Sequence, residues 1–230
     1  MVNKKIVVII PAFNEENSVG KVVKDIPKSL VSEIVVVNNN SNDLTKVNAL
    51  AAGAIVVDEP KQGYGNACLK GMAFVSEMEI KPDIIVFIDA DYSDYPEEIE
   101  LLVKPIIEDN FDMVIGSRAL GKRESGSMTP QQIFGNWLAT SLLKLFYKVS
   151  YTDLGPFRAI KYQKLLELKM IDKTYGWTVE MQLKAAKQKY KITEIPVTYR
   201  VRIGHSKVSG TVKGTVMAGY KIITTIFKYL

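Results

Sequence analysis

The apolar run Ile84, Ile85, Val86, Phe87, Ile88 ends abruptly in Asp89, Ala90, Asp91, Tyr92, Ser93 and Asp94. Carboxylates one residue apart can reach the same divalent cation, and oxygen ligands of this kind suit Mg or Mn. Alone, Asp89 and Asp91 would repel a phosphate; with a cation between them they can hold a diphosphate and stabilise it as it leaves. The same residues can also be read as a solvated loop, with Asp94 and Pro96 marking the start of a helix over 97–107. Spacing alone does not choose, so the rest of the chain must.

Five apolar residues without alternation predict a strand buried on both faces, its aspartates leaving at the C-terminal edge where open α/β sheets bind ligands. An earlier strand is predicted over 5–10, closed by Pro11. The polar corner Ala12, Phe13, Asn14, Glu15, Glu16, Asn17 follows, and Ser18 caps a helix reaching residue 26. Four β-branched residues predict a strand over 34–37, which ends in Asn38, Asn39, Asn40, Ser41, Asn42 and Asp43. Next come a helix over 44–52, a strand over 54–57, a helix opening at Gln62-Gly63-Tyr64-Gly65 and reaching residue 78, and a strand over 113–116. This rhythm predicts an α/β, mainly parallel, doubly wound sheet with helices on both faces. Parallel topology places both polar corners on the same edge as the aspartates. The result is a nucleotide-sized pocket: Ala12 or Phe13 against a base, Asn and Asp side chains on base or ribose, a cation for phosphates. Neither a P-loop nor a Gly-x-Gly-x-x-Gly turn follows the first strand, which argues against ATPase and dinucleotide readings.

A chain of 230 residues fits one such domain, and 47% hydrophobic with 24% charged residues excludes disorder. No stretch is apolar enough for a membrane span, and Lys4 and Lys5 run into a strand without a secretory pattern, so a cytoplasmic location is expected. One cysteine, Cys68, and one histidine, His205, rule out an intramolecular disulfide and a Cys/His zinc site, leaving carboxylates for any metal. A formal charge of +5 suits phosphorylated ligands or an anionic membrane surface; it is too small for a nucleic-acid module, and no recognition motif is present.

In the second half, an amphipathic helix is expected over 133–149, a turn over 152–158, a helix ending near 188, a strand over 192–199 and an amphipathic helix over 211–230. That last helix has three readings: it lies on an anionic membrane surface, on the inner face, it pairs with a membrane-protein partner, or it packs back on the domain. Trp177 offers a face for sugar or lipid, or is core. Glu180 can be a general base for a hydroxyl acceptor, or helix N-terminal charge. Arg200, Arg202, His205 and Lys207 around Gly204 form a candidate anion-binding loop.

Taken together, the segments Pro11 to Glu16, Asn38 to Asp43, Gly63-Tyr64-Gly65, Asp89-Ala90-Asp91, Gly116-Ser117-Arg118, Asp153-Leu154-Gly155-Pro156-Phe157-Arg158 and Gly204-His205-Ser206-Lys207 resemble those of family 2 inverting glycosyltransferases of the GT-A fold. More narrowly, they resemble the dolichyl-phosphate mannose and glucose synthase group, over nearly the whole chain. The resemblance implies one GT-A domain with a nucleotide-sugar half at 1–118, an acceptor half at 119–210 and the terminal helix at 211–230. It implies that Pro11, Ala12, Phe13 and Glu15 line the nucleoside pocket. Asn38, Asn39 and Asp43 form a corner that in relatives begins with an aspartate, and both leading acids are Asn here. Gly63 and Gly65 would admit the donor, Asp89 and Asp91 would carry Mg or Mn beside Ala90, and Ser93 stands where relatives place another ligand.

Arg118 matches a position near the acceptor phosphate, followed by a loop over 121–129 expected to be a flexible lid carrying Lys122 and Arg123. Gln131 and Gln132 stand where relatives often carry arginines. Asp153 would hold sugar hydroxyls or cap a turn, with Arg158 near the donor, and the loop with Arg202, His205 and Lys207 would close over the diphosphate. The implied activity moves a sugar from a UDP- or GDP-linked donor to a polyprenyl phosphate at the cytoplasmic membrane face. A lipid or small-molecule hydroxyl is the second acceptor class, and a non-catalytic nucleotide-sugar-binding subunit is a third reading. A sugar nucleotidyltransferase would need an N-terminal Gly- and Arg-containing loop, which is absent.

Overall fold

A computed structural model describes residues 4–204 and 212–230. The strands are β1 (Ile6–Ala12), β2 (Glu33–Asn38), β3 (Ile55–Asp58), β4 (Ile84–Phe87), β5 (Met113–Ser117), β6 (Arg158–Lys161) and β7 (Ile192–Pro196). They form one sheet in the order β3-β2-β1-β4-β6-β5-β7. The helices are α1 (Val19–Asp25), α2 (Thr45–Ala51), α3 (Tyr64–Glu77), α4 (Ile99–Glu108), α5 (Pro130–Tyr147), α6 (Tyr162–Glu167), α7 (Trp177–Lys187) and α8 (Val212–Lys228).

The unbroken apolar runs follow from burial on both faces. Along β1, Ile6, Val8 and Ile10 enter a core shared with α1 and α4, while Val7 and Ile9 enter a second core with α3, α6 and α7. Each fully buried aliphatic side chain contributes roughly 1.5–3 kcal/mol. Pro11 lies inside β1, one step beyond the predicted end. It is tolerated because pairing with β4 stops at Ile9 and Phe87, so the side to which a Pro11 N–H would have pointed has no strand. Asn39 N–H still donates to Ala12 O on the β2 side.

The first half follows the predicted alternation as far as β5. The second half does not, because β6 enters between β4 and β5 and runs antiparallel to both. Sequence reading ended this segment in a turn at Arg158; the strand has four residues and opens on a charged side chain, so no periodicity announces it. Helix α6, which follows at once, has six residues, too few to show a helical period in sequence. Strand β7 stops at Pro196, short of the predicted 199, and the chain beyond it makes isolated bridges from Tyr199 to Asp94 and to Arg123.

Helix α5 starts at Pro130, earlier than predicted, because Thr129 and Gln132 form a reciprocal capping box with proline in the first turn. Gln132 thus has a local structural task. The loop over 121–129, expected to be a free lid, is fastened. Glu124 N–H donates to Tyr199 O at 2.9 Å, Val201 N–H donates to Glu124 Oε2 at 2.8 Å, and a Cβ on Gly121 would meet Val197 O at 1.9 Å.

Helix α8 packs back on the domain. Ile226 is buried with Ala139 and Leu143 of α5 and Val179 and Leu183 of α7. The Tyr229 hydroxyl donates to Glu180, and Lys221 pairs with Asp172 at 3.0 Å. Its other side, with Val216, Tyr220, Phe227 and Leu230, is exposed next to the exposed Phe134, Trp137, Leu145 and Phe146 of α5. No helix among the described residues is long and apolar enough to cross a membrane.

Candidate active site

At the carboxyl edge of β1, β2 and β4 lies a cleft of about 340 Å³ lined by Pro11, Ala12, Phe13, Glu15, Asn39, Gln62, Gly63, Tyr64, Ala67, Asp89, Ala90, Asp91, Tyr175 and Arg202. Ten of these were expected from sequence: Pro11, Ala12, Phe13, Glu15, Asn39, Gly63, Asp89, Ala90, Asp91 and Arg202. Gln62, Tyr64, Ala67 and Tyr175 were not singled out. The signal for Tyr64 was its place between two glycines at a helix start, and Tyr175 comes from a loop with no periodic signal.

The aspartates leave β4 in a tight turn, with Tyr92 at φ 65°, and meet different surroundings. Asp89 Oδ1 is buried with no hydrogen-bond partner among the described residues. Burial and the neighbouring Asp91 carboxylate raise Asp89 to about 7, against the pull of Tyr64, Arg202 and Arg118. Asp91 Oδ1 accepts from Ser93 N at 2.9 Å and Ser93 Oγ at 2.5 Å, while Oδ2 faces Arg202 Nη1 at 3.1 Å. Ser93 therefore orients Asp91. Asp94, passed over as a helix-start acid, is 1% exposed with both carboxylate oxygens unpartnered. Burial and Asp89 push it well above the usual carboxylate range.

The donor set fits the Mg or Mn that the resemblance implies. One buried oxygen lacks a partner, and a guanidinium already sits against the other carboxylate. Among the described residues no three His, Cys, Asp or Glu side chains are arranged to hold a metal alone. A cation held by Asp89 and Asp91 would thus complete its shell with water and ligand phosphate oxygens.

Arg202 spans the cleft mouth, donating to Glu15 Oε1 at 2.7 Å as well as pairing with Asp91. Arg200 serves as a strut: its guanidinium lies 3.4 Å from the Tyr92 ring centroid and 4.0 Å from that of Tyr95, and Nε donates to Tyr92 O at 2.6 Å. His205 and Lys207 lie outside the described residues.

Several expected ligands turn out to be occupied by the protein itself. Asp153, 1% exposed, grips Arg118: Nε to Oδ2 at 2.8 Å, Nη2 to Oδ1 at 2.6 Å, and Arg118 N–H to Oδ2 at 2.8 Å. Burial would raise Asp153, but the Arg118 guanidinium outweighs it and holds the carboxyl below its ordinary range. Asp153 is thus the fork that aims Arg118, with both carboxylate oxygens engaged and the residue outside the cleft lining. Arg158 is fully buried and donates to the carbonyls of Leu154, Gly155 and Thr178, tying β6 to α7; burial lowers it to about 10. It does not reach the cleft.

Glu180 is also fully buried. Ile171 N–H, Asp172 N–H, the Tyr229 hydroxyl and Lys184 all converge on its carboxylate, which excludes a general-base role in this arrangement. Trp177 is core, edge-on to Phe87 with ring centroids 6.0 Å apart.

The asparagine corner is architectural. Asn39 Nδ2 donates to Glu59 O and Lys61 O, and its Oδ1 accepts from Gly63 N–H, at 3.1, 2.8 and 2.8 Å. An aspartate could not make the first two bonds. Asn38 Nδ2 donates to Asp58, and the residue is not part of the cleft lining. Asp43 accepts from Thr45 N, Thr45 Oγ1 and Glu16 N and borders a separate hollow with Asn14, Glu16 and Gly204. Gly65 lies against a neighbouring loop: a Cβ there would meet Asp172 O at 2.1 Å. Gly63, at φ 141°, faces both that loop and the cleft.

Comparison with known proteins agrees with this geometry. Residues 7–169 match the glycosyl transferase family 2 profile. The chain is 31% identical over 220 residues to an uncharacterised glycosyltransferase of Mycobacterium tuberculosis, covering 95% of this chain and 96% of that protein. It is 29% identical over 244 residues to UDP-N-acetylglucosamine–dolichyl-phosphate N-acetylglucosaminyltransferase of Methanococcus voltae, covering 96% and 94%. It is likewise 29% identical over 205 residues to a dolichyl-phosphate hexose transferase of Haloferax volcanii, covering 87% and 85%. Among solved structures, glucosyl-3-phosphoglycerate synthase of M. tuberculosis, crystallised with Mn2+, UDP and phosphoglyceric acid, superposes with a TM-score of 0.77 at 22% identity, covering 98% of this chain and 78% of that one. An aspartate pair at the carboxyl edge of a mixed sheet, a nucleotide-sized cleft above it and a profile match across most of the chain lead to one conclusion: this protein belongs to glycosyl transferase family 2 and has the GT-A fold.

Proposed function

We propose that the protein is a cation-dependent inverting glycosyltransferase that moves a hexose from a UDP-linked donor to a polyprenyl phosphate at a membrane surface. The observation that carries the acceptor assignment is that Glu180 and Asp153 are bonded to protein partners and Glu15 is paired with Arg202, while Asp89 and Asp91 are the pair read as holding the cation, so no carboxylate is left to serve as a base. A hydroxyl acceptor must lose a proton during attack; a phosphate is already ionised and needs no base. Asp94 is unpartnered but sealed from the cleft.

In this reading the base and ribose rest along Pro11, Ala12, Phe13 and Asn39. The diphosphate lies toward Asp89 and Asp91, which would hold Mg or Mn; when bound, the cation neutralises charge building on the leaving diphosphate. Arg202 turns from Asp91 toward the same phosphates, and Arg118, aimed by Asp153, presents its guanidinium to the acceptor phosphate. The acceptor then attacks the sugar carbon from the side opposite the diphosphate, inverting it. Relatives that use dolichyl phosphate support the lipid, and a structural neighbour holding UDP supports the base. The exposed apolar sides of α5 and α8 support a lipid surface close by, since α5 begins directly after the loop that follows Arg118.

The test is transfer from UDP-glucose, UDP-N-acetylglucosamine and GDP-mannose to farnesyl phosphate or farnesol, with Mn2+ or chelator, with the product anomer read by NMR. Transfer to the phosphate alone, with inversion and only with cation, is expected. Transfer to farnesol instead would replace the acceptor assignment, and nucleotide binding without transfer would point to a non-catalytic subunit.

A further inference from the structure

The segment 199–203 is bonded on one edge to the aspartate turn and on the other to the loop over 121–129. Toward the turn, Arg200 N–H donates to Ser93 O at 2.9 Å, Ile203 N–H donates to Asp91 O at 3.0 Å, and Arg202 pairs with Asp91 and Glu15. Toward the loop, Tyr199 N–H donates to Lys122 O and Glu124 N–H donates to Tyr199 O, both at 2.9 Å. Tyr199 is therefore a single bridging residue with Asp94 on one side and Arg123 on the other, and the Arg118 guanidinium stands over its ring, 5.1 Å from the centroid. One side-chain bond closes this assembly on the loop side: Val201 N–H to Glu124 Oε2 at 2.8 Å.

We propose that Glu124 is a positioning residue that couples occupancy of the aspartate cleft to the posture of the 121–129 loop through this shared segment. The proposal rests on reading the cleft as the site of a nucleotide diphosphate and its cation. With a cation at Asp91, Arg202 would leave that carboxylate and turn inward toward the diphosphate. Because Arg200 and Ile203 stay bonded to the turn, the movement is carried along the backbone and not absorbed by one side chain. It reaches Lys122 and Arg123, exposed cations of the loop, through the Glu124 carboxylate, while the backbone bonds of Tyr199 hold the loop in place as a fixed pivot. Donor binding would thereby set the loop cations before the acceptor phosphate arrives.

The experiment is hydrogen exchange of the full-length protein, read by mass spectrometry, with and without UDP and Mn2+. In the wild type, exchange should slow about fivefold or more in peptides covering 89–94 and also in those covering 121–129. Glu124→Ala should keep the response at 89–94 and lose it at 121–129. Glu124→Gln, which retains an oxygen acceptor for Val201 N–H, should keep most of it. A wild type that responds at 89–94 but not at 121–129, or a Glu124→Ala variant that responds at both, overturns the coupling. No response at 89–94 in the wild type overturns the reading of the cleft, and the coupling with it.

Discussion

Asp89, Asp91 and Asp94 leave one turn into different surroundings: an open cleft with an unmatched oxygen, a guanidinium and a serine, and a sealed space with no partner. Asp89→Asn and Asp91→Asn should each weaken Mn2+-dependent UDP binding by about 100-fold in calorimetry, with the fold retained. Asp94 behaves differently because its folded pKa lies above its unfolded one. The fold favours the protonated form, so stability is full below the ordinary carboxylate pKa and is lost as pH rises through the raised value. Asp94→Asn should therefore melt about 5 °C higher than the wild type at pH 8 without metal and show no gain near pH 3. Asp153→Ala should lower stability by about 3–5 kcal/mol in urea titration, because the largely covered Arg118 guanidinium, 11% exposed, loses its charge partner. Asp89 and Asp91 could be found from spacing alone. Asp94 could not, because an acid ahead of a proline-led turn looks like ordinary helix-start charge; nor could the Asp153–Arg118 fork, whose members are far apart in sequence.

Among the elements, the alternation from β1 to β5 was legible because β1, β2, β4 and β5 are apolar runs buried in the two cores, the edge strand β3 is a short β-branched run, and each turn carries polar residues. Past β5 that signal fades. Strand β6 is four residues long, the Thr129 capping box sits wholly in polar residues and proline ahead of the first apolar position of its helix, and the fastening of the 121–129 loop runs through backbone groups that sequence does not display. Gly65 had a recognisable type but an unrecognisable reason: it admits the Asp172–Lys173 backbone. Gly65→Ala should cost about 1–3 kcal/mol in urea denaturation, because carbonyl groups cannot give way as a flexible side chain would.

For the whole molecule, the exposed apolar sides of α5 and α8 lie on neighbouring helices and touch through Phe146 and Phe227, with ring centroids 5.4 Å apart. Removing α8 is a poor test of membrane binding, since Glu180, Asp172 and the core around Ile226 would lose partners together. Trp137→Ser combined with Tyr220→Ser leaves those anchors intact. It should reduce co-flotation with vesicles of anionic lipid by about tenfold at unchanged melting temperature; equal flotation would remove the membrane from the functional reading.

The reversed strand has a further consequence, for synthesis. Until residue 161 has left the ribosome, β4 offers an unpaired edge and β5 has no neighbour at all, since its partners are β6 and β7. A nascent chain that already holds the complete aspartate turn must keep an apolar edge from pairing with another chain while the closing strand is made.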